Sequence, residues 1–240
     1  MLKQTSFVAI VLGASVMFPQ AASWSSDDND FKSMPKKGVL AFTKAKIFVE
    51  QNFSDGDTEV VLEAKGGDIG LRKLWILAPD GKVVYQFKAP ADGRNIGGRE
   101  IVVESPEPAD VNKILAAYPK GQYTFIGRAF DGQWLMSKTE LSHTIPIAAS
   151  ITFPTAGTTV SRHSLAITWE PVTEATSYSV ELKNRETTHT LKAVIPGNQN
   201  SFHAPAEWLS PGTGYQVSIF VINAAGNKTS SEIDFTTLQD

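Results

Sequence analysis

Short runs of alternating apolar and polar residues follow one another along most of this chain, separated by Gly, Pro, Asn and Asp. AKIFVEQ (45–51) is one such run, and TEVVLEAK (58–65) is another, after the turn-rich SDGD. LRKLWILAPDGKVVYQF (71–87) holds two runs around Pro79-Asp80-Gly81. Proline presets φ for a turn and glycine tolerates positive φ, so this stretch predicts a hairpin. REIVVES (99–105) is a further strand, and GQYTFIGRAFDGQWLMSKTEL (121–141) predicts a second hairpin about Asp131-Gly132. PADVNKILAAY (108–118) alone has helical spacing, with Pro108 able to start it and Val111, Ile114 and Leu115 on one face. A stretch with Pro146 and Pro154 interrupts the pattern, which then resumes as SLAITWEPV (164–172), SYSVELKN (177–184), THTLKAVIPG (188–197), LSPGTGYQVSIFVINAAG (209–226) and SSEIDFTT (230–237).

Period-two runs without intervening helices predict an all-β fold and disfavour a parallel α/β sheet. The expected architecture is two tandem antiparallel β-sandwiches, over 40–145 and 146–240, after a polar leader (24–39) whose charges cancel. Residues 1–23 have the order of a secretory signal peptide. Lys3 is followed by the apolar run FVAIVLGASVMF (7–18), then Pro19, Gln20 and the small residues Ala21, Ala22 and Ser23. Cleavage is expected near Ser23. Twelve apolar residues fall short of the ~20 that a spanning helix needs, so the mature form is expected to have no membrane span and to be periplasmic or extracellular.

A net charge of −3 and a pI near 5.8 argue against a nucleic-acid face. The absence of cysteine excludes disulfides and thiolate chemistry. An exported chain without disulfides depends on its hydrophobic core, a habit that suits a bacterial envelope. The sequons at Asn52 and Asn227 then carry no meaning as glycan acceptors.

From about Pro146 onward the chain resembles the fibronectin type III domain. Trp169 stands in LAITWEPV before Pro171, Tyr178 stands in ATSYSVEL, and LSPGTGYQVSI supplies Leu209, Pro211 and Tyr215. VINAAGNKTSSE matches the usual end of the sixth strand and start of the seventh. The resemblance implies a binding or spacing module. It also implies that Trp169, Tyr178, Leu209, Pro211 and Tyr215 are structural, with Tyr215 at a tyrosine corner whose hydroxyl bonds back to the upstream backbone. The first half is expected to be an immunoglobulin-like sandwich. Its Pro119-Lys120-Gly121-Gln122-Tyr123 echoes Pro211-Gly212-Thr213-Gly214-Tyr215.

Chemistry-bearing patterns are sparse. His143, His163, His189 and His203 stand at no metal-ligand spacing, and no G-x-S-x-G occurs. KGGDIG (65–70) lacks the helix a phosphate loop requires. Asp55, Asp57, Asp80 and Asp131 sit beside glycine, where Asp bonds its own backbone. A loop calcium site would have to draw on several of these turns at once. No catalytic constellation, cofactor or metal site is indicated. Trp134 and Trp208 are the candidate ligand contacts, as exposed tryptophans that could stack on a sugar or fill a partner's pocket. The leading expectation is an exported, non-enzymatic module that binds a protein or polysaccharide surface. The alternatives are a periplasmic assembly chaperone of two-sandwich layout, or a hydrolase accessory protein.

Overall fold

Aspartate turns set the frame of the first half. In the computed structural model, which describes residues 26–90, 97–108 and 110–239, the carboxylates of Asp55, Asp80 and Asp131 each accept the N–H two residues on, from Asp57, Lys82 and Gln133. Gly81 N and Gly132 N close the two predicted hairpins on Ala78 O and Ala129 O, with φ of +80° and +85°. Only a residue without Cβ enters that region freely. These aspartates serve separate turns. Among the described residues no group of three His, Asp or Glu could hold a metal ion. The expected signal peptide, its cleavage site near Ser23 and Trp24 lie outside the described residues.

The chain divides into two compact units, Met1–Met34 and Pro35–Asp240. In the first, Ser26–Ser33 of the polar leader form a 3-10 helix, in which Ser33 Oγ donates to Asp30 O (2.7 Å). The second unit is all-β. Its strands are β1 (Lys44–Asn52), β2 (Thr58–Lys65), β3 (Leu71–Leu77), β4 (Val83–Lys88), β5 (Glu100–Glu104), β6 (Gly121–Ala129), β7 (Trp134–Leu141), β8 (Ile151–Phe153), β9 (Thr159–Val160), β10 (Ala166–Trp169), β11 (Ser177–Asn184), β12 (Thr190–Pro196), β13 (Ser201–His203), β14 (Gly214–Ile222) and β15 (Lys228–Thr237). The predicted helix is shorter than its pattern. Helix α1 spans Val111–Ala117 because Asp110 caps it, accepting from Asn112 N, and Pro108 belongs to the lead-in. Of its residues Ile114 is buried.

Two hydrophobic clusters occupy this unit. The first packs β1, β2 and β5 against the sheet ordered β4-β3-β6-β7, through Ile47, Val49, Leu62, Leu74, Tyr123 and Phe125. The second packs the sheet β13-β10-β8 against the path β12-β11-β14-β15, through Ile167, Trp169, Tyr178, Tyr215, Val217 and Phe235. Each cluster is thus the filling of a β-sandwich, and the order of strands within the two pairs of layers is the same.

The layers of the two sandwiches are not separate sheets. β1 pairs in parallel with β15, Glu50 with Lys228, Gln51 with Thr229 and Asn52 with Ser230. One sheet therefore runs β12-β11-β14-β15-β1-β2-β5 through both halves.

Asn227, 0% exposed, holds this junction. Its Oδ1 accepts the Val49 N–H at 2.8 Å, and its Nδ2 donates to Ser142 O and Thr144 O at 2.8 and 2.9 Å. Asn223 backs it, donating from Nδ2 to Thr144 O (2.8 Å) and accepting Asn227 N (3.1 Å). Further along, Phe53 N donates to Ser230 O, and the hydroxyls of Thr229 and Ser231 donate to Pro146 O and Ala149 O. A buried donor left without an acceptor costs about 1–3 kcal/mol. Asn227→Ala strips the acceptor from Val49 N–H and a donor from two carbonyls. It is expected to lower unfolding free energy by about 3 kcal/mol, read from the denaturant midpoint. A loss within about 0.5 kcal/mol, the range of neutral surface changes, would contradict this role.

Candidate functional site

The period of two along β1 sends Ala45, Ile47 and Val49 to the first core, and Lys44, Lys46, Phe48, Glu50 and Asn52 to the opposite face. The same rule places Glu59, Val61 and Glu63 of β2, Val102 and Glu104 of β5, Lys228 and Glu232 of β15, and Phe220 and Ile222 of β14 on that face. It is the outer face of the joined sheet. Where the halves meet it is hollowed, so that Phe48 and Val61 are each only 4% exposed while pointing away from both cores.

Three hollows run along it and share lining residues. One of about 400 Å³ lies against Lys44, Lys46, Phe48, Glu63, Ile222 and Lys228. A second, about 190 Å³, adds Val61, Glu104, Glu181 and Phe220, and a third, about 170 Å³, is lined by Glu50, Asp57, Glu59, Glu107 and Glu232. The trough is therefore cationic at one end and anionic at the other. Lys228 stands between the ends. Its ammonium lies 4.3 Å over the Phe48 ring and 2.8 Å from Glu50 Oε2. Lys44 spans Glu63 (3.3 Å) and Glu100 (3.2 Å), tying the sheet across three strands.

The anionic end is electrostatically tense. Burial pushes the Glu59 carboxyl up to about 7, reinforced by the charges of Glu104, Glu50 and Glu107 and opposed by Lys228. The trough has an apolar floor of Phe48 and Val61 and charged rims along an extended groove.

The residues singled out in the sequence lie elsewhere. Trp169, 1% exposed, meets Tyr178 edge-on at 5.1 Å. The Tyr178 hydroxyl accepts Val172 N at 2.8 Å. Trp169 Nε1 is buried without a partner among the described residues. Tyr215 stacks on Phe235 (5.8 Å), and its hydroxyl accepts Ser210 N at 2.8 Å. The Tyr123 hydroxyl donates to Pro119 O at 3.0 Å, so the two similar stretches latch their tyrosines in similar ways. Leu209 is buried, and exposed Pro211 accepts the Thr213 hydroxyl at its carbonyl.

Trp134 stacks on Trp75 at 6.3 Å under the Arg128 guanidinium, which leaves 6% of its surface exposed and little of the indole for a ligand. Trp208, half-buried, packs 5.6 Å from Tyr215. Neither tryptophan lines the trough. The trough escaped the sequence because it forms from strands about 180 residues apart. The one local signal was the run of charged residues on alternate positions of 44–52 and 58–65.

A two-layer sandwich with a tyrosine corner before its sixth strand defines the class of the second half. Residues 150–236 match the Fibronectin type III domain family, and this part of the chain is a fibronectin type III domain. Modules of this fold are typically non-catalytic. No curated protein matches the chain. Similar solved structures include the FN1-FN3 domains of chicken CNTN1, at 18% identity over 82% of this chain and 65% of that one, with a TM-score of 0.32. This chain thus spans somewhat under two thirds of that one. Fibronectin(III)-like modules of Clostridium thermocellum CbhA are 8% identical over 82% of this chain and 95% of that one, with a TM-score of 0.34. A two-domain segment of chicken tenascin is 14% identical over 82% and 98%, with a TM-score of 0.28.

The raised Glu59 carboxyl has a defined sign in stability. A native state that holds the proton more tightly than the unfolded chain is favoured at low pH. The contribution is fully present below about 4.5 and is lost as pH rises through about 7. Glu59→Gln is expected to be the more stable protein at pH 8, by ~1 kcal/mol after solvent screening, and to lose that advantage by pH 4.5. Melting curves of the pair across this range check it. A difference that does not change with pH would contradict it.

Proposed function

We propose that this chain is an exported, non-enzymatic binding module of a bacterial envelope or secreted protein, recognising a protein or polysaccharide surface through the trough of the joined sheet. The observation that carries the reading is the parallel pairing of β1 with β15. It makes two sandwiches present one face with a groove along it, rather than two faces on a hinge. The family of the second half supports a module that binds or spaces. The proposed organisation is a signal peptide (1–23), a leader (24–39), an immunoglobulin-like sandwich (40–145) and the fibronectin type III region (146–240). The matching strand order of the two halves supports the second sandwich. Trp208 is a further candidate contact, outside the trough.

The test is capture of partners by the purified chain from envelope extract, alongside a glycan array. Lys46→Glu and Glu104→Lys serve as probes, because both side chains are exposed and line different hollows of the groove. The expected result is a partner whose binding weakens at least tenfold, about 1.4 kcal/mol, with one or both variants. Absence of any partner in both formats would contradict the binding reading. A partner indifferent to both variants would contradict the trough.

A further inference from the structure

The joined sheet ends, at the fibronectin side, on a strand whose free edge is unusually permissive. Among the described residues β12 pairs with β11 alone, over seven residues in unbroken register. Asn184 N donates to His189 O and Gly197 N to Thr176 O at its two ends. With the register, these bonds turn the N–H and C=O of Leu191, Ala193 and Ile195 toward β11. The same groups of Thr190, Lys192 and Val194 therefore point outward, while Pro196 has no N–H and its C=O already accepts Gln199 N at 3.0 Å.

Sheet edges are normally blunted by brevity, bulges, charge or a covering element. Among the described residues the other outer strands of the three sheets have such devices. β8 and β13 are three residues long, β5 carries Glu100 and Glu104, β4 pairs across a register shift, and β7 is flanked by the bridge to Leu40. β12 has one charge, Lys192, already engaged by Glu181 at 2.7 Å. Its Val194 is 75% exposed.

We propose that β12 is a self-association edge that pairs antiparallel with β12 of a second copy of this chain, about a two-fold axis at Ala193. The strand is self-complementary in that register. Lys192 and Val194 face Val194 and Lys192 of the second copy, giving about four backbone hydrogen bonds, and Thr190 faces Pro196 at each end. The core-side residues Leu191, Ala193 and Ile195, half-buried at the open end of their sandwich, meet Ile195, Ala193 and Leu191. A shift by one residue toward Lys192 sets the two ammonium groups opposite each other and is disfavoured. The two-fold register thus has charge, apolar matching and backbone bonding in agreement. The proposal stands independently of what the trough binds.

The chain contains no cysteine, so single cysteines report the register directly. At the axis Ala193 would form a non-hydrogen-bonded pair with Cα atoms about 4.5 Å apart, within disulfide reach. Sedimentation equilibrium of the full chain is expected to show a monomer–dimer equilibrium. Ala193→Cys should form a linked dimer at least tenfold faster than the exposed helix control Lys113→Cys. Val194→Lys, at an exposed side chain, should weaken dimerisation at least tenfold by facing Lys192 with a second ammonium. A chain that stays monomeric to about 1 mM, the weakest affinity a specific pairing would have, overturns the proposal. So does a dimer indifferent to Val194→Lys, or equal cross-linking at 113 and 193, or an edge that takes up only an extended segment of another protein.

Discussion

A single buried amide side chain decides the architecture of this protein. Asn227, with no exposed surface of its own, has three polar contacts to the first half, a fully buried one from the amide of Val49 and two partly buried ones to the carbonyls of Ser142 and Thr144. In such a site each unmade bond carries its full desolvation cost, so the side chain has one acceptable position. That position lays the end of β1 against the start of β15 and turns two sandwiches into layers of one sheet. The ion pair of Lys228 with Glu50 and the Phe53 N–H bond to Ser230 O extend the seam. The ion pair is partly exposed, where such pairs contribute little by themselves.

The seam explains why the outer face is hollowed and charged where it is. Strands paired in parallel across the junction bring Phe220 and Lys228 of one half beside Phe48 and Glu50 of the other. Phe48 and Val61 are buried there as a floor beneath charged rims. The antiparallel pairing of β1, β2 and β5 gathers Glu50, Glu59 and Glu104, with Glu107 just beyond, and burial, reinforced by their mutual repulsion, keeps the Glu59 carboxyl protonated to near neutrality.

The strands were legible where one residue type did one local job. Alternation located TEVVLEAK and SYSVELKN to the residue, because each buries one face of one sheet. Asp-Gly turns announced both hairpins, since the carboxylate and the missing Cβ act within the turn itself. Tyr215 was legible as a latch because its turn, its alternating strand and its hydroxyl partner lie within a few residues. The boundary stretch around Pro146 and Pro154 hid β8 and β9, which are too short to show a period. The helix began later than Pro108 suggested, because an aspartate cap outweighs a proline's permission.

What was not legible depends on distance along the chain. Asn227 looked like part of a sequon, and nothing near it names Val49 as its partner, 178 residues away. Trp134 could have faced solvent or core, since alternation cannot say which side of a sheet is covered. The most direct measurement of the shared sheet is amide hydrogen exchange at Val49 and Phe53, whose N–H groups are bonded across the seam. If the halves form one sheet, both amides exchange as slowly as those of the central strands, such as Ile219, through global opening. Exchange at both sites as fast as in the exposed turn at Ser54 to Asp57 would show the seam open, and would contradict the account.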